Sequence, residues 1–472
     1  MAAHFTKTLA TRLKLIKIST RSLSFSARRC MLSEAYKCQD AWTQRLNSDY
    51  LQKVDLNDFA VDLRSKFDKS KAMLVDMNVL ANKLHEMEKG DALYMEDLIR
   101  KYRQSSVSVP VNDCIVYAIV RAYLDLGIAD RLIDLMKNKS MYGIFPNPHA
   151  VNLIMDHFIK NKDYNASSQI AYEMMLQDDF SHPITYLLSL HSCVNHYNDI
   201  SLDPPPEPEV NPDEEEDWIP VGIIRYIVYD DHFDIKDERF LMGKTLYTLG
   251  RNCAEDSILS QSLQFLGLGL YQKFEKGMNL LEKWAESKDN TLVAEEAVLK
   301  FEESLEKAET RNPEEPPKDL GLRTMADAVR EFRITNEEKQ DYITRFKKLK
   351  SELSNRIKED SLETRVETLV KNVSKYEETD IKTQTELFSI WIEDRDRQIK
   401  QQIWEYKRQE KEKEIETKLK EIQTKEEMLR FFENRDRIIL SKRGIRPEVG
   451  EQEELDIDTI QAIRKKRRQF RT

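Results

Sequence analysis

Six basic side chains crowd the last nine residues of the chain: Arg464, Lys465, Lys466, Arg467, Arg468 and Arg471. Such a block is either a solvated terminal charge run or a contact for phosphates, salt-sensitive and blind to base sequence. Phe470, inside the same block, has a face that could stack on a base or pack on protein. Other groups able to do chemistry are sparse. Asp230-Asp-His-Phe-Asp234 gathers three carboxylates and an imidazole. It has neither zinc nor calcium ligand spacing, so a solvated polar loop is the expected fate. His157 sits beside an apolar helix stripe with no identifiable nucleophile or carboxylate partner, which suits a packed or surface imidazole better than a catalytic one. The sequence holds no GxGxxG, no P-loop and no HExxH. Its five cysteines (Cys30, Cys38, Cys114, Cys193, Cys253) have no metal spacing and read as reduced core thiols. No catalytic, cofactor or metal residue is expected, and no small-molecule substrate. The chain does not read as an enzyme.

The elements that must position any contact surface show a repeat. Pro110, Pro146 and Pro183 stand 36 and 37 residues apart, each just before an amphipathic helix pattern. Val116, Ile119, Val120, Tyr123 and Leu124 line the first helix; Val151, Ile154, Met155, Phe158 and Ile159 line the second. Both sets follow the i, i+3, i+4, i+7, i+8 spacing of one buried face. The same offset of 35 residues reaches Tyr186, Ser189, Leu190, Cys193 and Val194, with the serine out of character. A period near 35 residues marks stacked helical hairpins of the TPR and PPR kind, which build surfaces rather than catalytic pockets. The expected fold is all-α: a hairpin array over 34–200, further helical hairpins over 218–310, and C-terminal helices over 319–443 that end in a long helix. Gly127 and Asn161-Lys-Asp163 are the expected turns of the two best repeats. Over 34–70 one or two helices are expected, with Tyr36, Trp42, Leu46 and Tyr50 on one face.

Composition punctuates these segments. Residues 201–217 hold five prolines and eight acids, a disordered insert or linker. Trp218–Tyr229 is apolar and β-branched, a short strand or the start of the next helix. Leu259, Leu263, Leu266 and Leu270 share a stripe, and a helix through Leu280, Leu281 and Trp284 returns from a turn at Phe274–Gly277. A Pro-rich linker covers 311–318. Helices are expected near 320–333, 336–357 and 360–374, then a Pro- and Gly-free stretch from Glu378 to Arg443, about 100 Å if wholly helical. Its apolar positions fall in two patches, Leu387 to Tyr406 and Ile415 to Leu429, separated by the charged KRQEKEKE at Lys407–Glu414. That gap predicts a helix docked at both ends and solvated between. Residues 444–472 form a tail, acidic then basic.

The first 33 residues carry no Asp or Glu but seven Lys or Arg, many Ser and Thr, and Phe5, Leu9, Leu13 and Ile16. This is the make-up of a mitochondrial transit peptide, with cleavage expected near 22–33 and the matrix as destination. Removing residues 1–30 carries the net charge from −10 to −17. A field of that sign repels phosphate over the body as a whole, so any nucleic-acid contact has to be local. No run of 18 apolar residues occurs, so no membrane span is expected.

Within the array, Val151-Asn152-Leu153-Ile154-Met155 stands where the PPR consensus has Tyr-Asn-x-Leu-Ile, and Gly143-Ile144-Phe145-Pro146-Asn147 is similar to the Gly-Ile-x-Pro-Asp that closes a repeat. PPR arrays read one base per repeat with a few side chains. The positions after the asparagine place are Leu153 and, one repeat earlier, Ala118, neither able to bond a base edge. More specifically, Tyr142–Pro146, Asn152–Asp156, Phe158–Lys160, Tyr164, Glu173–Met175 and Leu187–Leu190 resemble the PPR segment of a family of mitochondrial small-subunit ribosomal proteins. Leu32-Ser33, Ala35-Tyr36 and Trp42 are similar to the start of its mature members. The resemblance runs over about 30–200, is fainter over 256–287, and is compositional beyond. It implies a structural component of the mitochondrial small ribosomal subunit, with small-subunit rRNA and other mitochondrial ribosomal proteins as partners. The competing readings are a free PPR-type factor acting on mitochondrial transcripts and a coiled-coil adaptor without RNA.

Overall fold

The structure, a computed structural model, describes residues 31–109, 112–203, 235, 237–286, 293–311 and 333–443. Expectations placed on 1–30, Pro110, the bulk of the 201–217 insert, Trp218–Asp234, the linker core, 320–332 and the tail from 444 fall outside these residues. The chain divides into two compact units, 1–392 and 393–472.

The first unit is a stack of helical hairpins. Its leading helices are α4 (Leu74–Lys83), α6 (Asp113–Asp125), α9 (Pro148–Lys160) and α11 (Pro183–His196), preceded by α1 (Gln39–Thr43), α2 (Asp49–Lys53) and α3 (Leu56–Asp68). The returning helices are α5 (Ala92–Gln104), α7 (Asp130–Lys137) with the short α8 (Lys139–Tyr142), and α10 (Tyr164–Leu176). Successive leading helices touch one another, as do successive returning ones. Local chemistry sets the boundaries. Pro148 opens α9 at its first turn, where a missing N–H costs nothing, and the Asn147 side chain caps it by accepting from Ala150 N–H at 3.1 Å. Gly127 closes α6 in the left-handed region at φ +68°, and Asp163 caps α10 after the left-handed Lys162. The apolar sets spaced 35 residues apart are buried or nearly so, and Ser189, their exception, lies buried against Met155 Sδ.

Helix α11 packs on α12 (Glu238–Asn252), which closes the third hairpin. Helices α13 (Ser257–Leu270), α14 (Phe274–Glu286) and α15 (Glu295–Glu306) continue the stack, and α16 (Asn336–Glu352) packs on α14. Helices α12 and α13 approach at backbone distance. A Cβ on Gly267 would sit 2.5 Å from Tyr247 N and 2.6 Å from Gly243 O, a gap only glycine fits. Two two-residue parallel pairs, Val293–Ala294 with Ile357–Lys358 and Thr310–Arg311 with Ile334–Thr335, are the strands among the described residues.

Three local expectations are corrected. Residues 34–53 form a run of short 3-10 and α turns broken at the left-handed Cys38, so Tyr36 and Trp42 are buried while Tyr50 is exposed. Phe274 and Gly277 belong to α14 itself, packed on Phe301, and the turn falls at the left-handed Gln272. After α17 (Leu362–Val370), the long helix α18 runs Val373–Glu433, 61 residues and about 90 Å, and Asn434 separates it from α19 (Arg435–Arg443).

Candidate nucleic-acid interface

All six basic residues of the tail, Arg464 to Arg471, lie outside the described residues, as does Asp230–Asp234. His157 is half-buried on α9, its Nε2 3.3 Å from the Asn161 amide. Leu153 and Ala118 sit in the core and face no solvent. Beside Leu153 on α9, His149 and Asn152 form a buried polar face.

That face is occupied. Tyr36 stacks on the His149 ring, centroids 4.5 Å apart and planes 15° from parallel. Asn152 Nδ2 donates to the Tyr36 hydroxyl at 2.7 Å, and Asn152 Oδ1 accepts from Thr185 Oγ1 at 2.7 Å. The Tyr36 hydroxyl in turn donates to Asp380 on α18, whose second oxygen accepts from His182 Nε2 at 3.3 Å. A ring held on its face by stacking and on its edge by a carboxamide is the way a single-stranded base is held. The occupant is the chain's own phenol.

The seal extends along both neighbouring repeats. His149 Nε2–H donates to the Tyr36 carbonyl at 3.0 Å, which leaves Nδ1 to accept from the Tyr117 hydroxyl at 3.2 Å. Arg121 donates to the Lys37 carbonyl at 2.6 Å and to Gln39. Trp42 packs edge-on against Tyr117 at 4.9 Å and against Phe388 at 5.2 Å, with the Arg45 guanidinium 3.8 Å over its ring. Phe388 and Trp391 also close on Tyr117. Asn147 reaches Gln384 at 3.2 Å, and the backbone N–H of Leu32 donates to Asp156 at 3.3 Å. Residues 32–45 and the first turns of α18 therefore cover the side of α9 that carries His149 and Asn152.

Electrostatics fix the protonation states. Burial pushes the His149 imidazole down to about 4, so it is neutral at physiological pH, as its single-donor hydrogen bonding requires. Burial alone would raise the Asp380 carboxyl, but the hydrogen bonds from His182 and Tyr36 leave it below the ordinary carboxylate range. Burial, and then the Asp380 charge, drive the Tyr36 phenol far upward, so it stays a donor. Sequence reasoning had Asn152 only as a consensus match and Tyr36 only as an apolar face residue. Their meeting spans 116 positions, and nothing local signals it.

In the second unit, the distal apolar patch expected to dock is exposed. Ile415, Leu419, Ile422 and Leu429 are 56, 52, 51 and 64% accessible. The charged gap at Lys407–Glu414 is solvated as expected, but among the described residues nothing covers the helix beyond it. Among the described residues, no group of three or more His, Cys, Asp or Glu could hold a metal, and no helix is long and apolar enough to cross a membrane.

Comparison with protein families identifies the chain that folds this way. The family described as Mitochondrial 28S ribosomal protein S27 matches residues 1–421. The chain belongs to that family. It is a mitochondrial protein, a structural component of the small ribosomal subunit that supports translation in the organelle, and its partners are the ribosome's rRNA and proteins. The match ends inside α18, so Ile422, Leu429 and the basic tail lie beyond it.

Proposed function

We propose that within the small subunit this chain is a protein-contacting scaffold whose repeats have PPR geometry without the base-reading function. The observation that carries this reading is Tyr36 seated between His149 and Asn152 in the place of a base. A groove filled by covalently attached residues faces an effective concentration that a free RNA base cannot match without displacing a buried network. The role is structural rather than catalytic. Phosphate contact falls to the basic tail, Arg464, Lys465, Lys466, Arg467, Arg468 and Arg471, because the remaining surface is acidic overall.

Gradient sedimentation of mitochondrial matrix tests the assignment. Stoichiometric migration with the small subunit, persisting at moderately high salt, is expected. Light RNase-sensitive complexes would instead indicate a free transcript-binding factor, and a light RNase-insensitive pool an adaptor without RNA. Neutralising Arg464–Arg468 should weaken association and flatten its salt dependence; an unchanged slope would remove the tail from the phosphate contacts.

A further inference from the structure

The exposed stripe on the distal part of α18 has no task in the scaffold reading. Ile415, Leu419, Ile422 and Leu429 recur at spacings of 4, 3 and 7, which keeps them on one side of the helix. Trp404, also exposed, falls on the same side eleven residues before Ile415. Lys411, Lys418 and Lys425 run along one edge of this seam; Glu416, Gln423 and Arg430 run along the other. Glu426 interrupts the seam between Ile422 and Leu429. We propose that this stripe is the docking surface for an amphipathic helix of another protein. That partner helix carries Leu or Ile in its seam, Asp or Glu opposite Lys411, Lys418 and Lys425, and one basic residue opposite Glu426.

The charge pattern selects this occupant over the others. In a parallel pair, each edge residue faces the opposite edge five positions on. A second copy would then set Lys411 against Glu416, Lys418 against Gln423, and Lys425 against Arg430: one attraction, one neutral pair and one repulsion. The same register brings Glu426 against its own copy inside the seam, where an unpaired carboxylate is strongly disfavoured. An antiparallel second copy lays lysine edge on lysine edge. RNA fits no better. Trp404–Glu433 carries eight basic and nine acidic residues, giving no net attraction for phosphate, and aliphatic side chains gain nothing from a sugar-phosphate surface. An acidic-edged helix with one basic seam residue satisfies Lys411, Lys418, Lys425 and Glu426 at once.

The probe is a fluorescent 28-residue helix of that composition, with a second peptide of identical seam and lysine edges as control; both are titrated against the full chain by anisotropy. The acidic-edged probe should bind at least about tenfold tighter than the lysine-edged one. Leu419→Gln with Ile422→Gln, both exposed and replaced by a good helix former, should lower that affinity at least about tenfold without changing helix content by circular dichroism. Lys418→Glu with Lys425→Glu should invert the preference between the two probes. Equal binding of both probes, or binding of neither, overturns the proposal. Concentration-dependent self-association lost in the Leu419→Gln, Ile422→Gln variant would overturn it in favour of a second copy. Binding of a structured RNA lost in the same variant would overturn it in favour of nucleic acid.

Discussion

Helix α9 and the distal half of α18 are made of the same material, an amphipathic helix with apolar and aromatic groups to one side, yet the chain completes only the first. On α9, the polar groups that rim the apolar side, His149 and Asn152, each find a partner on Tyr36, and Asp380 supplies the anion that the phenol requires. On α18 beyond residue 407, the apolar residues stay exposed, and Arg408 pairs with Glu412 along the same helix at 2.8 Å. Amphipathicity therefore does not say whether a surface is finished. What distinguishes the two is the rim: on the completed surface the rim groups bond to other elements of the chain, whereas the open one has charges arranged in edges.

That contrast can be broken at the sealed face first. Tyr36→Ala removes a fully buried ring and leaves Asn152 and Asp380 without their shared partner. A loss of about 4 kcal/mol in urea unfolding is expected, from the void and the orphaned polar groups together. A loss under about 1 kcal/mol would mean that the face is not sealed by this residue. Acidification attacks the same place. His149 is held at about 4, below the unfolded value near 6.5, so the unfolded chain binds a proton that the folded one refuses between those limits. Stability is complete above pH 6.5 and falls on the order of 3 kcal/mol as pH drops from there towards 4. His85 and His157 are also lowered by burial and add to the slope in the same sense. The His149→Gln variant should show a visibly flatter stability profile over that interval; an identical profile would place the acid sensitivity elsewhere. Tyr36→Phe keeps the stacked ring and deletes only the hydroxyl, for an expected loss of about 1–3 kcal/mol. At the open surface the effect should almost vanish. Leu419→Gln should shift stability by no more than about 0.5 kcal/mol, because no described contact is lost there. A larger loss would show that the stripe is covered within the chain after all.

Much of the fold was legible because its causes are local. The 35-residue offset of apolar sets, Gly127, and the Asn161–Asp163 turn all act through neighbours a few positions away, and the structure keeps them where the spacing puts them. What was not legible depends on distance in sequence. The 34–53 segment looked helical because Tyr36, Trp42, Leu46 and Tyr50 have helical spacing, but Tyr36 and Trp42 answer to His149, Tyr117 and Phe388, between 75 and 346 residues away. Gly277 read as a turn because glycine usually marks one; it is a helical position that Phe301 overlies, with the ring 2.7 Å from where a Cβ would stand. The distal patch of α18 was visible as a patch, yet burial is a property of the pair of surfaces, and only one of them is encoded in this segment. The basic tail, read from charge alone, keeps its phosphate role as a proposal.

Ultraviolet crosslinking of purified mitochondrial small subunits, followed by mapping of the RNA-linked peptides, tests the central claim most directly. The sealed-face account expects rRNA adducts on the tail peptides around Arg464–Arg471 and none on Tyr36, His149 or Asn152. Nucleotide adducts on Tyr36 or His149 in the assembled particle would contradict it, because they would show a base in the position that the structure gives to the chain itself.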